Sequence, residues 1–123
     1  MEIDTKKVSV LVVDDEHLIV SLIKDCLEME GYTVFEAMDG NTGLEIFKDK
    51  RPHIVIMDVK MPGMDGIKLK ALIKEIDSNA KIIMMSGHIE AVDRHKDSKD
   101  IFLKKPFNLK DLILTLKDIE GRL

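Results

Sequence analysis

The stretch Ile54-Val55-Ile56-Met57-Asp58 runs four apolar residues straight into an acid, and Val59-Lys60-Met61-Pro62-Gly63-Met64-Asp65-Gly66 follows it. An apolar run without alternation suits a strand covered on both faces, as in a parallel sheet. Pro62, Gly63 and Gly66 then break regular structure. Asp58 is therefore expected where a central strand gives way to a loop. An ionised carboxylate is costly there unless a cation or a reaction accounts for it.

Outward from this stretch, the chain alternates. Val8 to Val13 is a β-branched run that stops at Asp14-Asp15-Glu16. Ile19, Leu22, Ile23, Cys26 and Leu27 then fall on one face at helical spacing, and Gly31 stops that helix. Tyr32 to Phe35 reads as a shorter, more polar strand. Asp39-Gly40-Asn41 reads as a turn, and Leu44, Ile46 and Phe47 mark a second helix ending near Arg51-Pro52. The strand at the centre covers His53 to Met57. Beyond the Pro/Gly loop, Asp65 stands at an N-cap, and Leu69, Leu72, Ile73 and Ile76 stripe a third helix. Lys81 to Met85 is a fourth strand ending at Ser86-Gly87. A short helix with a weak apolar face is expected from about Ile89 to Lys96. Ile101 to Leu103 is a short fifth strand before Lys104-Lys105-Pro106, and Leu109, Leu112, Ile113, Leu116 and Ile119 define the last helix.

Five strand–helix pairs in this order predict an α/β fold: a doubly wound, five-stranded parallel sheet between two layers of helices. The polar second strand suits an edge, which gives the order 2-1-3-4-5. Ligands of such sheets bind beyond the carboxyl ends of the strands.

At 123 residues the chain is long enough for a substantial core, and a net charge of -4 leaves no basic footprint for nucleic acid. A single cysteine excludes an internal disulfide, and Cys26 lies on the apolar stripe as a core residue. No apolar run or signal-peptide core points to a membrane or to export, so a cytoplasmic location is expected. His17, His53, His88 and His95 lack metal-ligand spacing.

Asp14, Asp15, Asp58, Ser86 and Lys104-Lys105 all collect at the predicted strand ends. Three carboxylates in one place call for a hard divalent cation such as Mg2+. Lys105 could pair with Asp58 or with a phosphate, and Ser86 offers a hydroxyl. Helix capping by Asp14 or Asp15 is compatible with metal binding. The short fifth strand leaves open, by alternation alone, which of Lys104 and Lys105 is buried. Carboxylate nucleophile, metal, lysine and hydroxyl together describe a phosphoryl-transfer site.

Val12-Val13-Asp14-Asp15-Glu16, Met57 to Gly66, Met85-Ser86-Gly87 and Phe102-Leu103-Lys104-Lys105-Pro106-Phe107 together resemble the receiver domain of two-component response regulators, over essentially the whole chain. The resemblance implies a flavodoxin-like fold and one receiver domain over 1–123, of the single-domain relay type. It implies a phosphorylation-controlled binding module rather than an enzyme. Asp58 would accept phosphate from a sensor histidine kinase or histidine phosphotransfer protein, with Mg2+ or Mn2+ as cofactor. Asp14 and Asp15 would help hold the ion with Asp58 and the backbone carbonyl of Lys60. Ser86 and Lys105 would contact the phosphate, and Ser86 and Phe102 would form the switch read by a downstream protein. The first helix would receive the kinase. Lys60 and His88, each two residues past a site residue, would tune the lifetime of the phosphorylated state. The Lys105-Pro106 bond matches one that is commonly cis in the family.

One departure matters. Many receivers carry a Gly-Ala pair and a longer segment before the fifth strand, whereas Ala91 to Asp100 looks short and poorly apolar. That predicts an abbreviated or frayed helix there and puts family-typical dimerisation in doubt. Against an aspartyl phosphatase, the place of the second acid, two residues past the nucleophile, is held by Lys60. A pseudo-receiver regulated by binding alone is disfavoured by the full set of site residues. A nucleotide-binding fold is disfavoured because Val13-Asp14-Asp15-Glu16 replaces the glycine-rich turn.

Overall fold

The computed structural model describes residues 8–87 and 101–123. In chain order these form β1 (Ser9–Val13), α1 (His17–Met29), β2 (Thr33–Ala37), α2 (Gly40–Lys50), β3 (Ile54–Asp58), α3 (Gly66–Ile76), β4 (Lys81–Ser86), β5 (Ile101–Lys104) and α4 (Leu109–Glu120). The helix expected near 89–96, and His88, lie outside the described residues. The five strands make one parallel sheet in the order β2-β1-β3-β4-β5.

Every residue of β3 is buried, as the unalternating run predicts. The pleat divides the strand residues between two cores. Val10, Val12, Ile54, Ile56, Ile83 and Met85 pack with α1 and α4 through Val20, Ile23, Leu27, Leu112, Leu116 and Ile119. Leu11, Val13, Val55, Met57, Ile82 and Met84 pack with α2 and α3 through Phe47, Leu69 and Ile73. Burying one such side chain is worth about 1.5–3 kcal/mol. Both faces of the sheet are thereby sealed, and its ends are left for chemistry.

Two local readings change. On α1 the buried residues are Val20, Ile23 and Leu27, while Leu22 is 53% exposed. Ile23 and Leu27 of the expected stripe are thus buried and Ile19 packs partly against the core, while Val20 is buried and Leu22 is not. Asp39-Gly40-Asn41 is a helix start rather than a free turn: Asp39 caps α2 by accepting the Thr42 N–H at 2.8 Å. Asp65 caps α3 as expected, accepting from the Lys68 N–H at 2.9 Å.

Gly66 fixes where α3 begins. A Cβ there would run into the Asp58 carbonyl oxygen and the Val59 Cα. Only a bare backbone lets the first turn of α3 lie against the end of β3. The Gly66 N–H donates to the Val59 carbonyl at 2.8 Å, closing the Pro/Gly loop.

Candidate functional site

Asp14 immediately follows β1, and its N–H still donates to the Ala37 carbonyl at 3.2 Å, extending the ladder by one residue. Its Oδ1 then accepts the Glu16 N–H at 3.0 Å, a side-chain turn that bends the chain into α1. Asp58 closes β3 and is 7% exposed; Asp14 is fully buried. The Lys105 N–H donates to the Ser86 carbonyl at 2.7 Å, which anchors the loop after β5 beside β4. From that anchor the Lys105 ammonium donates to Asp14 Oδ2 at 2.9 Å, Asp58 Oδ2 at 3.2 Å and Glu16 Oε1 at 3.3 Å. The Lys105-Pro106 bond is cis.

Strand parity explains who meets whom. Asp14 and Asp58 continue the register of Val10/Val12 and Ile54/Ile56, and Lys105 that of Ile101/Leu103, all on the α1–α4 face. Ser86 continues the parity of Ile82 and Met84, and Phe102 also packs on that opposite face. Lys104 pairs with Ser86 in the ladder and is exposed. The choice between the two lysines therefore falls to Lys105.

The charges are unbalanced. Burial, and then the neighbouring Asp14 charge, push the Asp58 carboxyl above the ordinary carboxylate range; the Lys105 charge and hydrogen bond and the Lys60 N–H oppose this and lose. Burial pulls the Lys105 ammonium down, but hydrogen bonds and charge from Asp14, then Asp58, outweigh it and its pKa is raised. One cation serves three carboxylates.

Asp14, Glu16 and Asp58 each bring an oxygen within 4.8 Å of the others. An all-oxygen set of hard acids fits Mg2+ or Mn2+, which keep several waters and need few protein carboxylates. Of the residues singled out in the sequence, Asp14, Asp58 and Lys105 converge here. Ser86 is buried at the end of β4, and Phe102 is partly buried on β5. The Lys60 side chain is exposed while its N–H reaches the Asp58 carboxylate. Asp15 is exposed and stands outside the acidic group; Glu16 takes the third place. Glu16 escaped the sequence reading because the partner that reveals it, Lys105, lies 89 residues away.

Known proteins are similar in sequence and fold. The model of the response regulator receiver domain matches residues 10–117. The chain is 36% identical over 107 residues to sporulation initiation phosphotransferase F of Bacillus subtilis, covering 84% of this chain and 86% of that protein. It is 31% identical over 116 residues to the aerobic respiration control protein ArcA of Escherichia coli, and there it spans 48% of the relative's length. A response regulator receiver domain protein from Clostridium thermocellum superposes with a TM-score of 0.85 at 32% identity, over 93% of this chain and 94% of the other. Sheet order, acidic strand ends and these likenesses agree: the chain belongs to the receiver domains of response regulators, the phosphorylatable modules of two-component signalling.

Proposed function

We propose that Asp58 is the phosphoacceptor, and that the chain takes phosphate as one receiver unit from a phosphohistidine on a sensor histidine kinase or a phosphotransfer protein. The observation that carries this is the position of Asp58: a carboxylate at the end of the central strand, held between a second buried acid and one lysine. An Asp58 oxygen bonds to phosphorus, the phosphorus–nitrogen bond to the donor imidazole breaks, and its electron pair stays on that imidazole. Lys105 offsets charge on the phosphoryl oxygens as they develop it. Ser86, at the neighbouring strand end, donates its hydroxyl to one of those oxygens.

Asp14, Asp15 and Asp58, with the Lys60 carbonyl, would hold a Mg2+ or Mn2+ ion. Bound there, the ion supplies positive charge to the transferring phosphoryl group. Phosphate drawing on Ser86 biases the opposite face of the sheet, where Phe102 sits, and so alters a surface for a downstream protein. Lys60, whose side chain is exposed next to Asp58, and His88 tune how water reaches the acyl phosphate. The chain catalyses its own phosphotransfer and dephosphorylation without being a turnover enzyme on free substrates.

The test is incubation with acetyl phosphate and Mg2+ followed by intact mass. One phosphate on the wild type, none on Asp58→Ala and none after chelation of the metal is the expected result. A phosphate that survives Asp58→Ala would assign the acceptor elsewhere.

A further inference from the structure

We propose that Glu16 is a positioning residue for Lys105, holding the ammonium in a three-way contact that must loosen before Lys105 can serve a phosphoryl group on Asp58. The proposal builds on the assignment of Asp58 as the acceptor. A lysine ammonium has three donors and no more. Here all three are taken, by Asp14 at 2.9 Å, Asp58 at 3.2 Å and Glu16 at 3.3 Å. A phosphoryl oxygen can be met only if one acceptor is surrendered. The side chains of Asp14 and Asp58 are 0% and 10% exposed, that of Glu16 62%. The longest and most solvated of the three contacts is the one that costs least to release.

A second observation is independent of the distances. Glu16 occupies the N-cap of α1, yet its side chain makes no capping hydrogen bond. The other described helices are capped by short side chains: Asp39 at 2.8 Å, Asp65 at 2.9 Å and Asn108 at 2.7 Å. A glutamate is poorly suited to this local task. Its extra length reaches across to the loop after β5 instead. Asp14 braces both ends of that contact, holding the Glu16 N–H through Oδ1 and Lys105 through Oδ2. Beside it opens a groove of about 380 Å³ lined by Glu16, Ile19, Leu22, Lys105 and Phe107. The released carboxylate has room to swing away without disturbing the core.

Glu16→Ser supplies a good cap while removing the reach, so a loss of fold does not mask the result. Glu16→Gln keeps the length and an acceptor but drops the charge. The first readout is the NMR resonance of the Lys105 ammonium in metal-free protein. The second is the initial rate of phosphorylation by acetyl phosphate at saturating Mg2+. In Glu16→Ser the ammonium resonance is expected to move and the rate to rise by about two- to fivefold, the scale of a solvated ion pair. Glu16→Gln should fall between it and the wild type, and the thermal midpoint of Glu16→Ser should not drop. An unmoved resonance overturns the proposal, as does a rate unchanged or lowered in Glu16→Ser. If the wild type accepts no phosphate, the assignment of Asp58 fails on its own, and the ammonium resonance still decides whether Glu16 holds Lys105.

Discussion

The two ends of the sheet handle polar groups in opposite ways. At the amino ends of the strands, partners match. His53 Nδ1 lies 3.0 Å from the Ser9 N–H and 3.1 Å from the Ser9 hydroxyl, while the His53 N–H donates to the Ser9 carbonyl at 3.0 Å. Nearby, the Tyr32 hydroxyl donates to Glu120 at 3.0 Å, and Lys117 lies over the Tyr32 ring and pairs with Glu30. At the carboxyl ends, three carboxylates share one ammonium, and two of the acids are buried. One end ties β1 to β3 and β2 to α4. The other holds unresolved repulsion that a metal ion or a phosphoryl transfer can relieve. A carboxyl perturbed like that of Asp58 marks a functional site more often than a structural one.

The contrast can be broken hardest at Gly66. Gly66→Ala would force a methyl group against the Asp58 and Val59 backbone, and should cost about 1–3 kcal/mol or more in a denaturant melt. Because the strain falls on the Asp58 peptide itself, phosphorylation should drop with stability.

A smaller effect, of opposite sign, is expected from Asp58→Asn. The raised Asp58 pKa means that the fold disfavours its charged form. Neutralising it should raise the thermal midpoint by about 2–5 °C near neutral pH in the absence of metal, while phosphorylation is lost. The pH dependence follows the same sign. The folded protein holds the Asp58 proton more tightly than the unfolded chain does. Stability should therefore fall as pH rises from the ordinary carboxylate range through the raised folded value, and the fall should shrink in Asp58→Asn. Melts across acidic pH would reveal it, and a steeper fall in the variant would contradict the reading.

The smallest effect belongs to the matched end. Tyr32→Phe removes one hydrogen bond to Glu120 and should cost about 1 kcal/mol. Phosphorylation by acetyl phosphate should be unchanged. A change in that rate would show that the two ends are coupled rather than merely different.

Most of the architecture was legible because the signals were local. The apolar run into Asp58, the acids after β1 and the Asp65 cap each occupy a few adjacent residues. What escaped depended on distant partners. On α1 the buried Ile23 and Leu27 were legible at helical spacing, but that Val20 rather than Leu22 completes the buried face is decided by the sheet beneath. The resemblance pointed to Lys105 over Lys104, but a physical reason for that choice came only with the register of β5 against β4. Glu16 looked like one more acid at a helix start until the loop after β5 arrived beside it.

The strand order has a consequence for how the chain is assembled. β1 pairs with β2 on one side and β3 on the other, β4 joins β3, and β5 joins β4. After the first pair, each strand in chain order is added to an open margin, and none has to be wedged between two neighbours already joined. A chain made from its amino end can therefore lay down the sheet as it emerges. Lys105 directly follows the last strand to dock, so the acids wait without their cation until synthesis has passed β5.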